Sequence, residues 1–345
     1  MDREITENIE LLKKDGTLTE QGWARRMLFN YDRKKIKAPF YRIKEWDYYA
    51  LLNPKKKYAI AATFSDLGYA GLFAITYVDY RLKKSVQKDS IKLLSRHKTG
   101  LAPSSVIDSE VSYHNEDMTI AFVKKGTKRN LLFTAPSLVL PSGEVGLKCE
   151  LTMLESKGRD SINIATSFKE NRKAFYLNQK IVGMPTSGII RRGKSKEEIE
   201  KGEAFGILDW GRGRWTYKNT WYWASGAGCE NGVNIGFNLG YGFSDRSEAT
   251  ENALFIDNTL YKVHNITFCI SDDFMKKWKI EDDNGMVDLD FIPIVPRTSY
   301  LKVGPITSDQ KQYFGYYTGV IRPQGLDEIK VEKLYGFAEK VYNAY

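Results

Sequence analysis

The chain is poor in the residues that staple or metallate a fold. Its 345 residues include three cysteines and three histidines. Cys149, Cys229 and Cys269 are widely separated, odd in number and without CxxC spacing, which indicates neither a disulfide framework nor a zinc site. His97, His114 and His264 are scattered and form no metal-ligating cluster. No metal and no other cofactor is expected.

Long apolar runs are missing too. No stretch approaches the roughly 18 apolar residues that span a bilayer as a helix. The N-terminus, MDREITENIELLKKDG, is charged where a secretory signal would be apolar. These features predict a cytoplasmic protein without an integral membrane segment. Common catalytic signatures are also lacking. GRGRWTYKN has neither the third glycine nor the strand-to-helix setting of a dinucleotide loop, and no Walker or Ser-His-Asp pattern occurs.

Lysine and arginine outnumber aspartate and glutamate 52 to 43, a formal charge of +9. The bases fall in small groups, RKKIK, NPKKKY, VKKGTKR, RRGKSK and MKKWK, mostly at turns between strand-like runs. That placement reads as solvated surface, and no nucleic-acid partner is expected.

What the chain does have is aromatic bulk. Hydrophobic residues make up 42%, enough for a packed interior, and 21 Tyr with 17 Phe favour pleated surfaces over helices. One short helical pattern, Ile5, Ile9 and Leu12, precedes the turn KKDGTL. Ten or more strand-length runs follow, among them KYAIAATF, GLFAITYVDYRL, SINIATSF, KAFYLNQKIVG and GVNIGFNLGYGF, bounded by Gly, Asn, Asp and Pro. With few helical crossovers to join parallel strands, the prediction is a mainly β protein of antiparallel barrels or sandwiches. Trp46 and Trp221, about half the chain apart, open similar Trp/Tyr-strand-Gly-Tyr-strand segments. The echo predicts two tandem β domains, 1–168 and 169–345.

Parity along the strands sorts the candidate site residues. In AFYLNQKIV, Tyr176, Asn178 and Lys180 share a polar face. In NIGFNLGYGF, Asn234 and Asn238 lie on a face otherwise made of glycine, which lets a ligand or a large side chain approach the backbone. GILDWGRGRWTYKNTWYWASGAG, residues 206–228, holds four of the seven tryptophans. Read as a hairpin turning at KNT, it puts Asp209, Trp215, Tyr217, Trp221 and Trp223 on one face and Arg212 and Arg214 on the other. An acid among rings is desolvated, which raises its pKa toward that of a general acid. Pairing of Asp209 with Arg212 or Arg214 is the competing reading.

GWARRMLFNYDRKKIKAPFYRIKEWDYYALL, FYLNQKIVGMPTSG, LDWGRGRWTYKNTWYWASG, GFNLGYGF and ENALFIDNTLYKV together resemble the bacterial family known as domain-of-unknown-function family 2804. The resemblance runs from about Gly22 to the C-terminus. More distantly, the pattern is similar to lipocalin-like two-domain proteins that include carotenoid hydratases and tocopherol cyclases. It implies tandem lipocalin-like, calycin-like barrels and transfers no catalytic residue.

Two classes of function follow as expectations. One is a metal-independent lyase, hydratase or isomerase acting on a lipophilic, isoprenoid-like molecule, with Asp209, Tyr176 and Lys180 catalytic. The other is a binding protein for a hydrophobic or glycosylated small molecule, oriented by Asn178, Asn234, Asn238, Arg212 and Arg214 against Trp215, Tyr217, Trp221 and Trp223. A structural protein with packed barrels would use the same rings as core.

Overall fold

The structure, a computed structural model, describes residues 2–242 and 244–345. Strands dominate it, arranged in two large antiparallel sheets of twelve and nine strands. Alternation of side chains sends one face of each sheet into its own core and the other toward the neighbouring sheet. Tyr49, Leu51, Leu177, Leu208 and Trp210 fill the first sheet's core. Phe237, Leu239, Phe291 and Tyr317 fill the second's. The opposite faces meet in a third apolar cluster, the seam, which includes Ala50, Leu52, Ile207, Trp223 and Phe337.

Both sheets curl back on themselves. In the first, Tyr113 on one edge strand stacks on Phe73 at 3.6 Å and meets Ser90 on the opposite edge at 2.7 Å. In the second, Phe268 packs edge-on against Tyr241 at 5.5 Å, and its N–H donates to the Tyr241 hydroxyl. The two strands of the sequence echo, Ile43–Asn53 and Lys218–Glu230, each open a run of consecutively paired strands, one per sheet. Both runs are antiparallel meanders.

The longest strand, Asn171–Arg192, serves two partners. Its first half pairs with Ile162–Phe168, its second with Val145–Leu154, and both pair on the other side with Ser195–Arg214. Register shifts beside Gly183 (φ 80°) and Gly188 (φ 148°) let it bend between them. At Gly188 a Cβ would lie 2.2 Å from the Glu150 carbonyl oxygen, so only glycine fits.

Two expectations are corrected. The N-terminal pattern Ile5, Ile9 and Leu12 forms no helix. Ile9–Glu10 is a strand parallel to Phe29–Asn30, the Ile5 N–H donates to the Trp23 carbonyl, and Leu12 bridges to Leu18. Pairing with residues 18–30 gives this segment hydrogen bonds and burial that an isolated short helix lacks. Among the described residues the helical segments are two single 3-10 turns, Arg33–Lys35 and Phe40–Arg42, and no helix is long and apolar enough to cross a membrane.

The stretch 206–228 is likewise not a hairpin. Ser195–Arg214 belongs to the first sheet and Lys218–Glu230 to the second, so residues 215–217 carry the chain from one to the other. Both strands have better partners elsewhere, Ile43–Asn53 for one and Ile329–Ala344 for the other. Asn171–Arg192 and Ser195–Arg214, which a division at 168 assigns to the second half, pair within the first sheet.

Candidate functional site in the seam

Three adjacent strands of the first sheet set one wall. Register places Lys180 opposite Asp209, and Asp209 opposite Tyr48. One step along, Asn178 faces Gly211 and Gly211 faces Trp46. Directly opposed side chains are near enough to touch. Lys180 Nζ is accordingly 2.9 Å from Asp209 Oδ2, and Asn178 Nδ2 donates to Asp209 Oδ1 at 2.6 Å. Gly211 leaves room for an indole: a Cβ there would lie 2.0 Å from Trp46 Cζ2.

The second sheet supplies the other wall by the same logic. Trp223 stands between Gly240 and Glu339, and Glu339 faces Gln312. Trp223 Nε1 donates to Asn238 Oδ1 at 2.6 Å, and Asn238 Nδ2 holds the Glu251 carbonyl at 2.9 Å. That bond fixes the loop after Val233–Tyr241, whose Glu251 side chain reaches over Gly240.

Across the seam, Lys180 Nζ lies 4.1 Å from the centre of the Trp223 ring and 3.9 Å from Glu251 Oε2. The Tyr176 hydroxyl donates to Glu251 Oε2 at 3.1 Å. Burial, and after it the attraction of Lys180 opposed by the repulsion of Asp209, leaves the Glu251 carboxyl above its ordinary pKa. Glu339 is also raised, chiefly by burial, although Trp221 Nε1 and Gln312 Nε2 donate to it at 2.9 and 2.8 Å. Deep as they are, Asp209 and Glu251 keep 11% and 13% of their side-chain surface accessible.

Rings complete the enclosure. Trp46 stacks on Tyr176 at 6.2 Å and takes the edge of Trp215 at 5.4 Å. Trp215 meets Trp221 at 5.9 Å, and Tyr48 meets Trp223 at 5.9 Å. One face is therefore aromatic, with a lysine and three carboxylates set among the rings.

The structure brings together Tyr176, Asn178, Lys180, Asp209, Trp215, Trp221, Trp223 and Asn238. Arg212 points the other way, fully buried in the first barrel, donating to Asp47 and to the carbonyls of Trp46, Gly211 and Ala102. Arg214 donates to the Lys37 carbonyl, Tyr217 to the Pro305 carbonyl, and Asn234 to Asp257; all three lie away from the cluster. Asp209 pairs with neither arginine, because its partner comes from the next strand. Glu251, Glu339, Tyr48 and Gln312 were not singled out from sequence, and Trp46 was noted only for the half-chain echo. Glu251 sits in an irregular loop without periodicity, and only cross-strand register reveals the others.

Two curled antiparallel sheets joined by a polar and aromatic seam make this a mainly β protein of the barrel or sandwich type. The chain belongs to the family described as domain of unknown function (DUF2804), which matches residues 2–345. No curated protein matches its sequence. Among solved structures, CghA with Sch210972 is similar at 11% identity over 88% of both chains, with a TM-score of 0.50. An AttH-type protein of Nitrosomonas europaea is 12% identical over 87% of this chain and 92% of its own (TM-score 0.47). Kievitone hydratase from Nectria haematococca is 13% identical over 87% and 88% (TM-score 0.44). The likeness to CghA is one of fold.

Proposed function

We propose that the chain is an enzyme of the lyase, hydratase or isomerase type that transfers a proton to an apolar small molecule held in the seam. One observation carries the reading: Glu251, a carboxyl raised by burial, accepts from the Tyr176 hydroxyl and lies 3.9 Å from Lys180 Nζ, which itself sits over the Trp223 ring. An acid with a raised pKa keeps its proton nearer neutral pH, where it can give it up in the reaction. Asp209 is less suited to donate, since Lys180 Nζ and Asn178 Nδ2 already occupy its two oxygens.

In this reading Glu251 protonates an alkene carbon. The π electrons form the new C–H bond and leave positive charge on the neighbouring carbon, beside the Glu251 carboxylate that results and the aromatic lining of the seam. Addition of water, or loss of a neighbouring proton, discharges the cation and returns a proton to the Glu251 carboxylate. Lys180, anchored by Asp209, and Tyr176 orient Glu251.

The test follows a lipid extract of the source cells by mass spectrometry with wild-type, Glu251→Gln and Asp209→Asn proteins. Loss of turnover by about 100-fold or more in Glu251→Gln is expected. Equal product from that variant and wild type would remove Glu251 as the acid.

A further inference from the structure

One end of the molecule carries an unusual run of exposed apolar and basic side chains. In the first sheet the edge strand Lys84–Leu93 ends in Leu93, 76% exposed, followed by Leu94 at 60%. The Leu94 N–H donates to the Tyr69 carbonyl, and the next turn brings Arg96 over the ring of Phe40 at 5.8 Å. Phe40 touches Tyr41 at 5.7 Å, and both rings are exposed.

The second sheet continues the same surface. The Arg42 guanidinium lies between the rings of Tyr41 and Tyr217, at 5.8 and 5.6 Å. The Tyr217 hydroxyl donates to the Pro305 carbonyl at the tip of the hairpin formed by Val287–Val303 and Ile306–Ile321. That tip exposes Val303 at 60% and Leu301 at 46%.

Cations surround these groups: Lys92, Arg96, Lys218 and Lys302 are all exposed. On the hairpin Asp309 is paired with Lys311, and two other nearby carboxylates are buried. Glu45 and Asp66 are buried and bound by His97, Tyr31, Ser95 and Thr99. Arg214 and Lys44 are both lowered from their ordinary pKa, first by burial and then by the nearby Arg42, with Asp66 opposing the shift at Lys44.

We infer that this end is a docking surface for an anionic lipid bilayer, with Leu93, Leu94 and Val303 entering the headgroup region, Phe40, Tyr41 and Tyr217 at the interface, and the lysines and arginines on the phosphates. Aromatic rings with one polar edge favour that boundary, and clustered bases favour anionic lipid. Isolated exposed apolar residues are ordinary; an apolar rim drawn from both sheets and ringed by bases is not. Trp215, stacked on Tyr345 at 6.4 Å, leads inward from this rim to Trp46 and the seam. The surface itself stands whatever chemistry the seam performs.

Vesicle co-sedimentation of the full chain tests this. Vesicles of phosphatidylcholine with about one third phosphatidylglycerol should bind the protein about tenfold better than phosphatidylcholine alone, and added salt should release it. Lys92→Glu/Arg96→Glu and Leu93→Asp/Leu94→Asp should each weaken binding about tenfold or more. Val139→Asp/Val145→Asp, exposed on another hairpin, should not. Thermal melts identify any variant that fails to fold, and the salt dependence of the wild type then decides. Absence of binding at low salt, binding unaffected by salt and by both rim variants, or capture of RNA in place of vesicles would overturn the inference.

Discussion

The indole of Trp46 fills the space that glycine leaves at position 211: a Cβ on Gly211 would lie 2.0 Å from Cζ2 and 2.2 Å from Cε2 of the ring. The same accommodation recurs across the seam, where a Cβ on Gly236 would meet Val182 Cγ1 and one on Gly240 would meet Glu251 Oε1, each at 2.8 Å. Gly211→Ala should therefore destabilise the fold by about 1–3 kcal/mol through overpacking. In a urea-denaturation cycle, Trp46→Ala should make the second substitution much less costly. Additive effects would mean that the ring and the glycine are not coupled.

Lys180 and Asp209 form a buried pair whose partners were placed opposite one another by register. Lys180→Met strands a carboxylate among rings and should cost about 3–5 kcal/mol. The double variant Lys180→Met/Asp209→Leu should be more stable than Lys180→Met alone. Chemical denaturation of the three proteins checks this.

Glu251 gives a pH dependence with a definite sign. Its folded pKa is raised above the ordinary 4.5, so the folded state holds more protons than the unfolded one as pH rises from 4.5 to that higher value. Its contribution to stability should fall over that window, and Glu251→Gln should flatten the fall. Turnover, if Glu251 is the acid, should decline on the same alkaline limb. Unfolding curves collected across the window would show whether the slope changes on substitution.

At the end of the first barrel His97 has an acceptor on each ring nitrogen, Glu45 Oε2 at 3.1 Å and the Phe40 carbonyl at 2.9 Å. Burial opposes the charged ring, but these two acceptors prevail and its pKa is raised above 6.5. The stabilisation is complete below pH 6.5 and is lost as pH rises through the raised value. Burial also works against the Glu45 charge, yet His97, Arg212 and Arg33 hold its pKa at about 2, so its contribution is lost as pH falls from 4.5 toward 2. NMR titration of His97 should give a pKa above 6.5, and Glu45→Gln should lower it.

The polar face of Tyr176, Asn178 and Lys180, the Gly/Asn face of 234–240 and the side of the strand on which Asp209 lies were all legible from alternation, because parity is a property of one strand. The family and the antiparallel β class were legible too, from ordered motifs and strand-length runs. Partner choice was not. Asp209 pairs with Lys180 and not with an arginine, and Glu251 enters from a loop with no pattern to betray it.

Sequence by itself determined which side chains share a face, because backbone geometry alternates them whatever the strand's neighbours. Tertiary structure decided which faces meet. Residues 215–217 cross between sheets instead of closing a hairpin, and Ile9–Glu10 pairs as a strand instead of coiling, since each found more hydrogen bonds and buried area with distant partners than with its own neighbours. The space beside Gly211 belongs to tryptophan, while Asp209 and Glu251, both within reach of Lys180, keep part of their side-chain surface accessible.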